Sequence, residues 1–401
     1  MSNKQRVIKA VDVLRPELKE LALKIHDNPE LGMEEFKACA WQKELLSKYG
    51  FEIEEGFCGI ETAYRATYKG KKAGPRIAFL AEYDALPGLG HGCGHNLIAM
   101  VACGCGIASR EFADEYGAQI DVIGTPAEET AGSKVAMSRL GVFKDYDAVM
   151  MAHPMFSNAD CFNTIAMDAY KIEFFGKSAH AAAAPHEGIN ALDAMINFFN
   201  LINAMRQEVK PDARIHGVIT DGGKAANIIP DYTSANFYVR ANRVGDVKKL
   251  AERVRNCAAG AALATGCTYN MEFSEENFKD TVRNHVLNDL AADNIEMFTA
   301  VPLVRLGNEY MPGSSDMGDV SYEAPAIQMQ FKVGDYPNPM GGAHTPEMVV
   351  ASASDYGIDN GLNFVKGLVM TAIDLMTKPE VLTKIKEEFS HVNDDVVGER
   401  E

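Results

Sequence analysis

The chain has 401 residues, 47% hydrophobic and 24% charged, an ordinary globular composition long enough for two or three domains whose core needs no disulfides. Its formal net charge of −17 argues against nucleic acid and an anionic membrane surface as partners, since both call for a basic face. The charged N-terminus lacks the apolar core of a signal peptide, no stretch reaches a membrane span, and the eight cysteines are scattered, so a cytoplasmic protein with reduced thiols is expected.

Helical spacing runs over 33–49 and stops at Gly50. Short apolar runs follow at 76–80, 120–124 and 148–152, separated by helical stretches at 98–115 and 133–140. Each run ends in polar residues: Glu82 and Asp84 after the first, Glu128 and Glu129 after the second, His153 after the third. Apolar runs alternating with helices predict an α/β domain with buried, mostly parallel strands, which hold ligands at their carboxyl ends. Near residue 168 the period changes to two, with Tyr170, Ile172 and Phe174 alternating with Lys171 and Glu173. A helix over 189–209, strands over 214–220 and 233–241, a helix over 244–265 and a strand over 268–274 complete a β-α-β-β-α-β order, the ferredoxin-like arrangement. After 281, helices and buried runs return, including 325–331. The expected fold is an α/β domain of residues 1–167 and 281–401, its sheet between helices, interrupted by an α+β insertion of residues 168–280.

Several segments carry candidate chemistry. In Gly92-Cys93-Gly94-His95-Asn96, a thiol and an imidazole stand two apart. In an extended segment they point the same way and suit a zinc-like ion; the other reading is a buried cysteine in a glycine-rich turn. A dinucleotide loop is excluded, because Cys93, His95, Leu97 or Ser109 stands wherever the third glycine would fall. Cys103-Gly104-Cys105, inside a predicted helix, reads as packing. Of Glu128 and Glu129, adjacent and so facing different ways, one can ligate a metal while the other takes a proton from water; the alternative is an acidic surface loop. His153 is a third polar group at a strand end or a structural histidine. His344 lies in a small-residue loop, 341–344, before a helix that Thr345 would cap with Pro346 in its first position. Asp84 either orients a ligating histidine or shapes the turn before Pro87. In the insertion, His180 lies among small residues, Asn227 precedes Ile228-Ile229-Pro230, and Arg240 shares a strand face with Asn236 and Tyr238. That arginine either clamps a carboxylate or sits on an exposed face.

Taken together, Glu82-Tyr83-Asp84-Ala85-Leu86-Pro87, Gly92-Cys93-Gly94-His95-Asn96, Pro126-Ala127-Glu128-Glu129, Ala152-His153-Pro154, Gly176-Lys177-Ser178-Ala179-His180 and Gly342-Ala343-His344-Thr345 resemble, in order and across nearly the whole chain, the M20 family of metallopeptidases and amidohydrolases. The Cys-Gly-His form resembles its subfamily D, and the segment from Gly313 to Ser321 resembles the branch of aminobenzoyl-glutamate hydrolases and peptidase M20 domain-containing protein 2. Asn96 departs from the aspartate that many members of subfamily D carry there. The resemblance implies a metal-binding catalytic domain with two divalent ions, zinc first and manganese or cobalt as alternatives. Cys93 would bridge them, His95 and His153 would complete one, and Glu129 and His344 the other. Glu128 would be the general base for a metal-activated water, and Asp84 would support a ligand. The insertion would be a lid and dimerisation domain, with His180 at the oxyanion across a homodimer and Asn227 and Arg240 at the substrate's carboxylate. The expected reaction is hydrolysis of an N-acyl amino acid, an acyl-glutamate or a dipeptide with a free carboxylate. The alternatives are a dipeptidase preferring a basic C-terminal residue and a catalytically silent small-molecule binder.

Overall fold

In the computed structural model, which describes residues 1–311, 313–337 and 342–397, the chain begins with α1 (Asn3–His26), α2 (Phe36–Lys48) and an antiparallel hairpin of β1 (Glu52–Glu55) and β2 (Tyr64–Lys69). Next come β3 (Arg76–Ala81), α3 (His95–Phe112), β4 (Gln119–Gly124), α4 (Ser133–Arg139) and β5 (Ala148–Met155). A second group follows: β6 (Ala166–Phe175), α5 (Ala191–Met205), β7 (Arg214–Asp221), β8 (Tyr232–Ala241), α6 (Val244–Thr265) and β9 (Thr268–Phe273). The chain then returns through α7 (His285–Glu296), α8 (Met317–Ser321), β10 (Ala326–Lys332), α9 (Pro346–Ala351), α10 (Asp355–Thr377) and α11 (Pro379–Val397).

The first sheet has the order β1-β2-β4-β3-β5-β10. Its β4/β3, β3/β5 and β5/β10 pairs are parallel, and only the hairpin side is antiparallel. Both faces are covered. In β3, Ile77, Phe79 and Ala81 join a cluster with Leu18 of α1, Leu97 of α3 and Val365 of α10, while Ala78 and Leu80 join another with Phe143, Met151 and Val320. A strand buried on both faces reads as an unbroken apolar run, which is why these strands stand out in the sequence. Helix α3 is buried without a break from His95 to Ser109, as befits a helix that is apolar all round. The hairpin escapes the sequence analysis because Glu52–Glu55 is a short, mostly exposed acidic strand with no apolar period.

The second sheet, β7-β8-β6-β9, is antiparallel throughout. Tyr170, Ile172 and Phe174 of β6 and Ala235, Phe237 and Val239 of β8 pack on Phe198 and Ile202 of α5 and Val254 of α6. The other face carries Lys171, Asn236, Tyr238 and Arg240. One covered face gives the period of two and the ferredoxin-like arrangement expected. Among the described residues, no helix is long and apolar enough to cross a membrane.

Two local expectations are corrected. Helix α3 begins at His95 rather than near 98, so Cys93 and His95 do not share an extended segment. Gly94, left-handed at φ 75°, turns the chain into the helix and sets the relation between the two side chains. Strand β5 continues to Met155, so His153 lies within it, opposite Gln330 of β10, rather than after it. A polar residue ends an apolar run without ending the strand.

Candidate active site

Because β3, β4, β5 and β10 run parallel, their carboxyl ends share one edge, where the chains leaving them converge. Glu82 and Asp84 follow β3, Cys93 and His95 lie at the entry to α3, Glu128 and Glu129 follow β4, and His153 stands near the end of β5. His344 precedes α9; Gly341, which opens its loop, lies outside the described residues. The His344 backbone N–H donates to the Gly92 carbonyl at 2.7 Å, tying this loop to the Cys93 segment. Thr345 caps α9 and Pro346 starts it, as expected.

The side chains form overlapping sets. Donor atoms of Cys93, His95 and His153 lie within 4.8 Å of one another, and so do those of Cys93, Glu129 and His344. His95 Nδ1 is 2.9 Å from Asp84 Oδ1. That contact fixes its tautomer and turns Nε2 inward, where it is buried 3.5 Å from Glu82 Oε2 and 3.8 Å from Glu129 Oε1, in hydrogen-bond geometry with neither. His153 Nδ1 lies 2.9 Å from the Pro154 carbonyl, leaving Nε2 3.5 Å from Cys93 Sγ. His344 Nε2 is 3.0 Å from Glu129 Oε1. An imidazole held from behind, with a bare nitrogen in front, is oriented as metal-ligating histidines are. A buried nitrogen with nothing to bond is costly unless a cation takes its lone pair. A thiol, three imidazoles and a carboxylate therefore fit divalent ions.

The adjacent acids Glu128 and Glu129 are electrostatically distinct. Burial, then the carboxylates of Glu82, Glu129 and Asp316, push Glu128 well above the usual carboxylate range. Burial also lifts Glu129, but the His344 hydrogen bond and the charge of His95 more than offset it and hold Glu129 low. Environments that push two neighbouring acids apart suit them to different tasks.

Sequence reasoning gave no role to the groups behind Glu128. Lys134, fully buried at the start of α4, reaches Glu82 Oε1 and Asp316 Oδ1 at 2.6 Å each. Carboxylate oxygens of Glu82, Glu128 and Asp316 lie within 4.8 Å of one another, so the ammonium stands where a cation is needed. Glu82 and Asp316 both lie in segments that carry the family resemblance, but Lys134 reads as an ordinary helix lysine.

His180 and Asn227 lie apart from this cluster, both exposed on the second sheet's loops. The Ala181 N–H donates to the Asn227 carbonyl at 3.0 Å, so the two are neighbours. His180 Nδ1 accepts from the Ala182 and Ala183 N–H groups at 3.3 and 3.1 Å, so in the neutral ring the proton sits on Nε2. Arg240 is half-buried on β8, its Nε without a hydrogen-bond partner. Among the described residues, no hydrogen bond or ion pair joins these three to the Cys93 cluster.

Comparison with known proteins agrees with this architecture. Residues 167–265 match the peptidase dimerisation domain of the M20 type. The chain is 35% identical to the mouse (Mus musculus) Xaa-Arg dipeptidase over 96% of its own length and 92% of that protein's. It is 29% identical to a p-aminobenzoyl-glutamate hydrolase chain of Escherichia coli, covering 96% of this chain and 94% of that one. A dinuclear metal-binding peptidase of the M20 family from Bacillus subtilis superposes with a TM-score of 0.64 at 20% identity, over 88% of this chain and 98% of the other. The near full-length identity to the mouse dipeptidase, with the matching dimerisation domain, shows that the chain belongs to the M20 family of metallopeptidases and amidohydrolases.

Proposed function

We propose that this M20-type metal-dependent amide hydrolase cleaves an amide beside a free carboxylate, and that the donor sets sharing Cys93 would hold two divalent ions. The observation that carries the reading is the sharing of Cys93 between two donor sets, with Glu128 beside them. His95 and His153 would complete one ion and Glu129 and His344 the other. The thiol and imidazole donors favour zinc, with manganese or cobalt as alternatives. When bound, the ions polarise the scissile carbonyl and make water more acidic.

Glu128 takes the proton of the attacking water and passes it to the leaving amine. Asp84 keeps His95 in the tautomer that presents Nε2. Residues 168–280 act as lid and dimerisation unit: His180 offers Nε2–H to the developing oxyanion, and Arg240 and Asn227 hold the substrate's carboxylate. The chain works as a homodimer, and its eight unpaired cysteines favour a reducing, cytoplasmic setting. A dipeptide ending in a basic residue is the first substrate to test, because the mouse relative is an Xaa-Arg dipeptidase; acyl-glutamates and other N-acyl amino acids come next.

The test is hydrolysis of these three classes before and after chelation, with zinc, manganese or cobalt restored. Activity should vanish on chelation and return with a divalent ion, and full turnover by metal-free protein would end the proposal. Glu128→Gln should keep its metal and lose about 10²–10⁴-fold in kcat, whereas Glu129→Gln should lose metal. Equal metal loss in both would show the roles misassigned.

A further inference from the structure

The loop between β4 and α4 carries both Glu128 and Glu129, and alternate amides hold it. The Thr125 N–H donates to the Ala81 carbonyl at 2.8 Å, the Ala127 N–H to Glu35 Oε1 at 2.8 Å, and the Glu129 N–H to Asp84 Oδ2 at 3.0 Å. Between the outer two anchors Ala127 is left-handed, at φ 59°. That conformation is costly for a residue with a Cβ and persists only where its surroundings enforce it.

The middle anchor is unusual. Glu35 is completely buried, and its second oxygen, Oε2, has no partner in good hydrogen-bond geometry, the Thr62 hydroxyl and its own amide being near enough only to favour the ionised form. Among the described residues it makes no ion pair. It stands at the N-cap position of α2 without capping the helix; Glu30 does that, accepting the Lys37 and Ala38 N–H groups. A buried carboxyl with no cation is a poor way to stabilise a fold. The turn that carries it also lies hard against the catalytic loop. A Cβ on Gly32 would stand 2.3 Å from Thr130 Oγ1 and 2.9 Å from the Ala127 Cβ.

We infer that Glu35 is a positioning residue: by holding the Ala127 N–H it fixes the left-handed turn that sends the Glu128 and Glu129 carboxylates to separate tasks, an inference that rests on the roles proposed for those two. Glu35 touches neither substrate nor metal. It acts through one peptide group, and the property it needs is a fixed acceptor oxygen rather than a charge.

Two substitutions in the full-length, zinc-loaded protein separate these properties. Glu35→Gln keeps the acceptor and removes the ionisable group; Glu35→Met removes the acceptor and keeps the bulk. The Gln variant should stay within about threefold of wild type in kcat, while the Met variant should lose about 10²-fold in kcat with KM little changed. Glu35→Met should also bind zinc roughly 10–100-fold more weakly, because Glu129 is displaced, and should exchange amide hydrogens faster over residues 125–130. A merely structural role would lower the melting temperature of either variant and leave kcat per folded molecule and zinc affinity untouched, which would overturn the inference. So would a folded Glu35→Gln protein as impaired as Glu35→Met. Should Glu35→Met fail to fold, Glu35→Asp, whose carboxylate is one methylene short, is read by the same criteria. Glu128→Gln, assayed in parallel, keeps the two failures apart. Full turnover there sinks the catalytic assignment whatever Glu35 does. An inert Glu128→Gln beside a wild-type-like Glu35→Met sinks the Glu35 role alone.

Discussion

Glu35 should also leave a mark on stability. Burial is the main cause that pushes its carboxyl from an ordinary 4.5 up to about 7, and the Asp84 carboxylate adds to it; its own amide, the Thr62 hydroxyl and the Ala127 amide work the other way. Between these two values the folded chain holds a proton that the unfolded chain has released. Linkage then requires this group's contribution to fall as pH rises from 4.5 and to level off above 7. At 1.36 kcal/mol per unit the full loss is about 3 kcal/mol. Glutamine resembles the protonated carboxyl and does not titrate. Glu35→Gln should therefore come close to wild type near pH 4 and exceed it near pH 8 by up to about 3 kcal/mol. Urea unfolding at the two pH values measures the difference. Curves that stay parallel would mean that Glu35 is not lifted by its burial.

Among the elements, the entry to α3 sets the relation of two proposed ligands. Gly94 supplies a left-handed residue at φ 75°, and an added Cβ would meet Pro154 Cγ at 2.6 Å. Pro154 neighbours His153, so the clash is passed to a third ligand. Gly94→Ala should weaken metal binding by tenfold or more, because the clash displaces Pro154 and with it His153, and tenfold is only about 1.4 kcal/mol. Gly88→Ala is the control: the same strain at φ 72°, but open space around the new methyl, so stability should fall without loss of metal affinity. A chelator competition titration reads both, and equal affinities in the two variants would contradict the argument. The glycines also mark how far the sequence is legible. Of Gly88, Gly90, Gly92 and Gly94, all but Gly92 adopt positive φ, and nothing in the string Gly-Leu-Gly-His-Gly-Cys-Gly-His shows which one turns the chain into a helix. The buried strands were readable because both faces are apolar, Glu129 and His153 because each follows or interrupts such a run, and Cys93, His95 and His344 because each stands in a segment of small residues. Lys134 and Glu35 were not. A lysine in a predicted helix and the second member of a Glu34-Glu35 pair look like surface residues until the fold buries them.

At the scale of the whole molecule, the proposed site is divided. The Cys93 cluster lies at the edge of the first sheet, whereas His180, Asn227 and Arg240 belong to the second, with no hydrogen bond or ion pair between the groups among the described residues. Either this chain's own lid closes on the cluster or a second copy supplies the missing groups. Strand β7 favours the second copy. Among the described residues it pairs only with β8, and it exposes Val218 at 61% and Ile219 at 37%, an open edge that an identical chain can extend about a two-fold axis. The match to a dimerisation domain over residues 167–265 points the same way. A mixed dimer decides between them. One chain carries His180→Ala and its partner Glu128→Gln, each inactive as a homodimer under the proposed roles. If His180 acts across the interface, the His180→Ala chain keeps its own Glu128 and receives an intact His180, so up to half of the wild-type activity per dimer should return. If each lid serves its own chain, both sites of the hybrid are defective and no activity returns. Purified hybrids carrying two different affinity tags, checked for subunit exchange during the assay, give the answer directly, and a silent hybrid would remove His180 from the partner's site.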